Sequence, residues 1–331
     1  MQTSITVAIC TRNRAGLLEK AVRSVLAQAE EKPIEILIVD NGSTDHTAAC
    51  AAGLSASDPR VKFFSEPRLG ICVARNRALH QAAGEWVILI DDDAEVERGW
   101  LAAYESFFSS LPNERVAVVG GVVVPRYEVP PPPWVSVEEK WGPGGKTPFC
   151  FAYGHSPSEC NSAYRRAAAL RLGGFNQQLG HRGEVAGYRE GADLNIRLQD
   201  AGYEIWWLPG AAVRHLIHGD RLNLKWLLHA ALNEGRSVAV QRLKPRARGA
   251  RGIYIAGRVL VAPLHCGVNL LLAAVSFPFQ SGRVAAKALL RTASIAGLTC
   301  ELLRLFFAAR TPTAFSAGAG RAAARRRPGP F

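Results

Sequence analysis

Several things are scarce in this sequence, and each scarcity narrows the reading. The seven Cys are scattered, with no CxxC or comparable spacing, which excludes a cysteine-built metal site. Cys10 and Cys72 sit among apolar and small residues and read as reduced core positions. The start of the chain shows no charged leader and no long apolar run, so no signal peptide is expected. A Gly-rich, Lys/Arg-containing phosphate loop is also lacking near the start, where TRNRAG is a poor version of one. Acid is nearly missing from the last quarter. From Gln241 onward fifteen Lys and Arg face one acid, Glu301, a balance of +14, while the rest of the chain carries −2 of the overall +12. That basic quarter holds long apolar runs and few aromatics that could stack on bases, which favours anionic lipid over nucleic acid as its partner.

What is present begins with size. At 331 residues, 48% hydrophobic and with seven Trp, the chain can build one large domain or two smaller ones. Its organising stretch is WVILIDDDAEVE, residues 86–97. Five consecutive apolar residues, Trp86 to Ile90, predict a strand buried on both faces of a parallel sheet. The strand runs into Asp91, Asp92 and Asp93, with Asp91 and Asp93 on one side and Asp92 on the other. Three adjacent anions need a compensating cation or donors. Two hard oxygen ligands at the carboxyl end of a buried strand suit Mg or Mn, with a diphosphate adding further oxygens. Open α/β sheets bind ligands at that edge. The competing reading is an acidic turn in which Asp caps a helix starting near Gly99.

In chain order, ITVAIC (5–10), IEILIV (34–39), Val61 to Phe64 and residues 86–90 predict four strands. Helical patterns separate them at LLEKAVRSVLAQ, after Ser43 or Thr44 as a cap, and from Leu69 to Ala83, where Arg75-Asn76-Arg77 is embedded and Gly84 closes the helix. Such alternation predicts a doubly wound, mostly parallel sheet. Thr11 to Arg14, Asp40 to Ser43 and Asp91 to Asp93 each follow a strand and so share one edge. VAVVGGVVV (116–124) predicts another strand, with Gly120-Gly121 permitting a bulge or close backbone approach. Residues 125–160 are Pro- and Gly-rich and read as a loop or lid, with Trp134 and Trp141 able to stack on a sugar face or a lipid. A helix is expected from Arg165 to Leu172, ending at Gly173-Gly174.

The pieces VAICTRNR, ILIVDNGSTD, GICVARNRAL, GEWVILIDDDAEVERGWL, CNSAYRRAAALRLGGFN and DLNIRLQDAGY, taken as an ordered set over roughly residues 4–220, resemble the family 2 glycosyltransferases of the GT-A fold. The resemblance implies a nucleotide-sugar donor and a catalytic domain over residues 1–220. It implies that Thr11 and Arg14 line the nucleotide site and that Asp40 contacts the base. It places Arg75 near the diphosphate and Asn161 beside donor and acceptor; Asn41, Ser43, Asn76 and Asp92 complete the expected donor-binding set. Asp91 and Asp93 become a DxD pair for a divalent metal, Asp93 being the first choice as ligand. His215, after the strand EIWWLP, resembles a third metal ligand, with His218 as second choice; imidazole suits Mn beside two carboxylates.

One departure stands out. In the family a Glu-Asp pair usually precedes the DLxxRL helix, and its Asp deprotonates the acceptor. Here Glu190 holds the Glu position but Gly191 holds the Asp position, and Asp193 matches the acidic residue that follows. Glu190 is the first choice as replacement base, with Glu184 and Asp193 as alternatives; Arg197 on the same helix reads as structural.

Beyond residue 220 a helical pattern covers 222–240 and LKPRARGARG forms a basic hinge. Val259 to Phe279 is 21 residues without formal charge when His265 is neutral, near the ~20 needed to span a bilayer. Pro263, His265 and Asn269 leave a re-entrant or interfacial segment equally open. Arg283, Lys287, Arg291, Arg304 and Arg310 among apolar residues suit an interfacial amphipathic helix, so 221–310 is expected to be a membrane-associated helical region. Residues 311–331 read as a disordered basic tail.

The expectation is therefore an inverting, metal-dependent (Mn or Mg) hexosyltransferase on the cytoplasmic face of the plasma membrane, peripheral or held by one segment. It would move a sugar from a nucleotide donor to a lipid-linked or polysaccharide acceptor in envelope or exopolysaccharide synthesis, with no nucleic-acid partner. A nucleotidyltransferase and a non-catalytic nucleotide-sugar-binding scaffold are the alternatives; Gly191 favours the scaffold and the intact Asp91–Asp93 stretch opposes it.

Overall fold

The computed structural model describes residues 4–29, 32–135, 137, 140–183, 186–243, 248–276 and 282–308. Within them the chain forms β1 (Ile5–Thr11), α1 (Ala15–Leu26), β2 (Glu35–Asp40), α2 (Thr47–Ser57), β3 (Val61–Ser65), α3 (Ile71–Gln81), β4 (Trp86–Asp91), β5 (Ala94–Val96) and α4 (Trp100–Ser109). It continues through β6 (Val116–Tyr127), β7 (Phe149–Cys150), β8 (Asn161–Arg165), α5 (Arg166–Arg171), α6 (Glu190–Asp200) and β9 (Glu204–Ile217). Three helices follow, α7 (Leu224–Leu243), α8 (Arg248–Ser276) and α9 (Arg283–Ala308).

The strand order is β3-β2-β1-β4-β8-β6-β9-β5, with β7 on the flank of β9. The first four strands pair in parallel, as their crossover helices require. Beyond β4 the sheet becomes mixed: β8 runs antiparallel to β4 and β6, β6 and β9 are parallel, and β5 is antiparallel to β9. Side-chain alternation along β4 divides the core. Trp86, Ile88 and Ile90 join Leu18 and Val22 of α1 and Trp100, Tyr104 and Phe108 of α4 on one face. Val87 and Leu89 join Leu79 of α3, Tyr164 of β8 and Leu194 and Leu198 of α6 on the other. Each such side chain contributes roughly 1.5–3 kcal/mol by leaving water, and Trp86 also stacks on Phe108 with centroids 4.3 Å apart.

Several local expectations are revised. Strand β8 was not anticipated, because NSAYR carries no apolar alternation. Its Ser162 and Tyr164 are nonetheless buried, and the following helix begins at Arg166. Strand β6 continues to Tyr127, so the loop expected from 125 starts later. That loop is tied back by Trp141, whose N–H donates to Val123 O at 2.7 Å, and by β7 on Trp206 and Trp207. Neither Ser43 nor Thr44 caps α2; Asp45 Oδ1 accepts the Thr47 N–H at 2.9 Å. Gly84 serves close approach rather than helix ending, since a Cβ there would lie 2.6 Å from Thr6 N.

The change from parallel to mixed sheet is pinned by Asn161, fully buried at the first position of β8. Its Oδ1 accepts from Trp100 Nε1 at 2.9 Å and Tyr104 Oη at 3.1 Å. Its amide donates to Val122 O at 2.9 Å and Ala211 O at 3.0 Å. One side chain thereby joins α4, β6, β8 and β9. Gly121 is required beside it, because a Cβ would come within 2.1 Å of Ala211 O and 2.5 Å of Asn161 Nδ2; the β6–β9 register also shifts there. The expected placement of Asn161 beside donor and acceptor is thus corrected: every polar atom of its amide is used inside the core.

The last helices form a separate layer. Helix α9 returns along α7, and the two backbones meet where a Cβ on Gly235 would lie 1.9 Å from Ser294 O and one on Gly297 1.9 Å from Leu232 O. Leu298 and Leu302 of α9 are buried against Ala239, Leu243 and Ile255, so α9 directs apolar side chains at its neighbours, where a free interfacial helix was expected. Helix α8 is different. Gly252–Ser276 is 25 residues long, and its most apolar 18-residue window has mean hydropathy 1.9 and is only 11% buried. By length and composition it can cross a membrane. The hinge residues 244–247, residues 277–279 of the expected apolar run and the expected tail at 311–331 lie outside the described residues.

Two measurements check this packing. Asn161→Leu, near-isosteric, leaves buried donors and acceptors unpaired at about 1–3 kcal/mol each. The melting midpoint of the purified protein should fall accordingly, by the equivalent of at least about 3 kcal/mol; an unchanged midpoint would contradict the pinning role. Gly297→Val forces α7 and α9 apart, and amide hydrogen exchange in both helices should accelerate while β1–β4 stay protected.

Candidate active site

The carboxyl ends of β1 and β4, the start of β5, the loop before β8, the start of α6, the end of β9 and the start of α7 surround one cavity of about 720 Å³. Asp91, Asp92 and Asp93 lie at its floor. Their roles divide, although by a turn and not by strand alternation, since β4 ends at Asp91 and Asp92-Asp93 turn into β5. Asp92 turns to β1, accepting from Thr11 Oγ1 at 2.7 Å and from Arg14 Nη1 at 2.8 Å. Burial pushes its carboxyl up to about 6 against the opposing pull of Arg14. Asp91 and Asp93 turn to β9.

The β5–β9 pairing sets Ala94 opposite His215, and this register carries the imidazole to the aspartates. His215 Nε2 lies 3.1 Å from Asp93 Oδ1 and 3.8 Å from Asp91 Oδ2. Burial opposes ionisation of Asp93, but His215, Arg14 and Arg221 outweigh it and hold the carboxyl down at about 2. The same contact raises His215 against the effect of its own burial. Asp93 Oδ1 is buried, and its contact with His215 Nε2 at 3.1 Å is an ion pair without well-directed hydrogen-bond geometry. Two carboxylates thus converge on one imidazole, Asp93 the nearer of the two. Asp91, Cys160 and His215 bring ligand atoms within 4.8 Å of one another, and burial raises the Cys160 thiol well above its usual range.

At the other end of the cavity Arg75, from α3, is buried and forked. Nη1 donates to Glu190 Oε1 at 2.9 Å and Nη2 to Asp91 Oδ1 at 3.2 Å. Burial opposes its charge, and Glu190 and Asp91 restore it. Glu159, immediately before the Cys160-Asn161 pair, reaches the first turn of α6, where its Oε1 accepts the Ala192 N–H at 3.0 Å. Burial and then the neighbouring Glu190 raise its carboxyl to about 7, with Arg75 opposing.

Of the residues singled out from sequence, Cys10, Thr11, Arg14, Asn41, Arg75, Asp91, Asp92, Asp93, Trp141, Glu190 and His215 line this cavity. Asp40, Ser43, Asn76, Asn161, Asp193 and His218 do not. Asp40 is buried and accepts from the Ser43 hydroxyl and, at 3.3 Å, the Ser43 N–H, while Ser43 Oγ accepts from Asn13 N; both shape the turn after β2. Asn76 clamps Phe175 through N–H and C=O bonds of 2.7 and 2.8 Å. Even Asn41, though at the wall, has its amide engaged by Glu66 O, Arg68 O and the Gly70 N–H. Asp193 is held by Arg197 on its own helix at 2.9 Å and faces away. His218 pairs with Glu128 at 3.6 Å, away from the aspartates. Glu184 lies outside the described residues. Trp141 reaches the cavity, its ring 5.6 Å from His215; Trp134 does not.

Sequence reasoning missed Glu159, His181, Tyr188, Arg221, Trp226 and His229, all on the cavity wall. Glu159 carried one available signal, its place directly before the CNSAYRR segment. The contributions from 221–230 carried none, because that stretch reads as a plain helix start. Helix α7 also braces α6: Arg189, just before Glu190, donates to Gln241 at 2.7 Å and Glu234 at 3.0 Å, and Ser237 Oγ accepts the Tyr188 N–H.

The sequence matches glycosyl transferase family 2 over residues 6–173. It is 27% identical over 302 residues to succinoglycan biosynthesis protein ExoM of Rhizobium meliloti, covering 89% of this chain and 92% of that one. It is 26% identical over 269 residues to a glucosyl-dolichyl phosphate glucuronosyltransferase of Haloferax volcanii, covering 79% and 84%. The fold is that of a Pyrobaculum calidifontis mannosyltransferase solved with GDP-Man and Mn2+, at a TM-score of 0.55 and 19% identity over 95% of this chain and 77% of that one. The matched half holds β1 to β4 with the three aspartates and the entry to β8, and on that ground the chain, a GT-A protein, belongs to glycosyl transferase family 2.

Proposed function

We propose that this glycosyltransferase is metal-dependent and inverting, and that it moves one sugar from a nucleotide-sugar donor to a lipid-linked or polysaccharide acceptor in envelope or exopolysaccharide synthesis. The convergence of Asp91, Asp93 and His215 carries the reading. Their donor set, two hard oxygens within 3.1 and 3.8 Å of one nitrogen, fits Mn or Mg. Asp91, Asp93 and His215 would hold a divalent cation, which would supply positive charge beside the leaving nucleoside diphosphate.

The chain's own residues do the rest. Arg75 and Arg14 flank the aspartates and supply fixed positive charge next to the diphosphate position. Thr11 keeps Asp92 turned from the ligand set. Inversion requires a single displacement, with the acceptor hydroxyl giving its proton to a carboxylate at the α6 end, where Glu190 and Glu159 stand. Trp226, His229 and Ala230 of α7 wall that end, and α7 leads through the 244–247 connection into the apolar helix α8. This continuity supports an acceptor presented at a membrane, and the excess of Arg and Lys around α8 supports its cytoplasmic face. The relatives point the same way, one acting on a dolichyl phosphate glucoside and one named for succinoglycan biosynthesis.

The test uses the detergent-solubilised full chain with UDP-, GDP- and dTDP-sugars, a membrane lipid extract as acceptor, and Mn, Mg or EDTA. Nucleotide release from one donor should vanish with EDTA and return with Mn. Asp93→Asn should lower it by about 10²–10³-fold and weaken Mn binding read by electron paramagnetic resonance. Binding of no donor at all would sink the reading; binding without release would replace it with a scaffold role.

A further inference from the structure

We infer that Glu159 is the group that deprotonates the acceptor, its carboxylate standing where a side chain at position 191 would otherwise stand. The inference rests on the glycosyl transfer proposed above and names the base within it.

Three observations carry it. The first is steric. A Cβ added at Gly191 would lie 2.0 Å from Glu159 Cγ, 2.2 Å from Oε1 and 2.5 Å from Cδ. The Glu159 side chain therefore runs through the volume that any side chain at 191 would fill. Only the missing Cβ of Gly191 lets it pass, so the two positions are mutually exclusive sources of one group. The second is anchoring. Oε1 accepts the Ala192 N–H at 3.0 Å in the first turn of α6, where unpaired helix N–H groups favour an anion. This fixes a long side chain that reaches in from another element. The third is the state of its neighbours. Glu190 is tied to buried Arg75, which needs that anion, and Asp193 is tied to Arg197 outside the cavity. Glu159 lines the cavity and pairs with no cation among the described residues.

The step balances simply. The acceptor O–H passes its proton to the Glu159 carboxylate while its oxygen bonds to the anomeric carbon. The bond from that carbon to the diphosphate oxygen breaks, and its electron pair leaves on the nucleoside diphosphate.

The experiment compares the full chain with Glu159→Gln, Glu159→Ala, Gly191→Asp and the Glu159→Ala/Gly191→Asp double variant. Each is assayed with the donor chosen by the panel and membrane lipid extract. Glu159→Gln keeps the volume and the bond to Ala192 but cannot take the proton. It should lose about 10²–10⁴-fold in kcat, with donor affinity and melting midpoint unchanged. Gly191→Asp alone should lower both the midpoint and the rate, because the two side chains collide. The double variant should recover at least tenfold over Glu159→Ala. A Glu159→Gln enzyme within threefold of the parent would make Glu159 a helix cap only and overturn the inference. A folded, donor-binding double variant with no gain over Glu159→Ala would overturn the shared role. If the parent chain itself turns over no donor, the glycosyl-transfer reading fails and Glu159 falls with it, an outcome separate from an active parent with an active Gln variant.

Discussion

Six carboxylates, those of Asp91, Asp92, Asp93, Glu159, Glu190 and Asp220, line one cavity, and the rest of the site follows from keeping them there. Like charges about 4 Å apart repel by about 1 kcal/mol in water and about 4 kcal/mol near a protein surface. Burial adds a desolvation cost to each. Two arginines make the arrangement tolerable. Arg14 bridges Asp92 and Asp93 at 2.8 and 2.9 Å, and Arg75 bridges Asp91 and Glu190 at 3.2 and 2.9 Å. Arg75 is the more consequential, because it is buried and joins the β4 end of the cavity to the α6 end. A lysine could not fork in this way.

Pairing anions from distant segments in turn requires the sheet that brings those segments together. The parallel half delivers Thr11, Arg14 and the three aspartates to one edge. The mixed half delivers His215 and Glu159, and it does so through Asn161, which fixes β8 against both β6 and β9. The last helices complete the wall. Because α7 holds Tyr188 and Arg189 on one side of Glu190 and is itself locked to α9, the position of α6 depends on the layer that carries the apolar helix.

The parts legible in the sequence were those whose signal is local. Strands β1 to β4 are continuous apolar runs, the three aspartates follow one of them without interruption, and His215 trails another. What stayed hidden depends on partners remote in the chain. An asparagine's sequence context does not tell whether its amide faces a ligand or a ring of backbone carbonyls. Asn161 and Asn76 resemble family positions, and both are consumed by core hydrogen bonds. Asp40 and Ser43 satisfy each other three residues apart, a turn chemistry that looks the same on paper as a pair of ligands. Strand β8 was invisible because its neighbours on both sides bury its polar residues.

Gly191 shows why a departure from a motif is not read from its own position alone. On sequence, a glycine where a carboxylate belongs argues for a protein that binds and does not react. In three dimensions the first turn of α6 has room for one side chain, and the glycine is the condition for that room to be filled from the segment before β8. A carboxylate at 191 would rise directly from the helix; one from 159 arrives across it and is steadied by the Ala192 N–H. The electrostatic demand on the neighbourhood is the same in both cases, because Arg75 must still balance Glu190 and Asp91. The charge framework around Arg75, more than the motif letter at 191, is what argues for a working site.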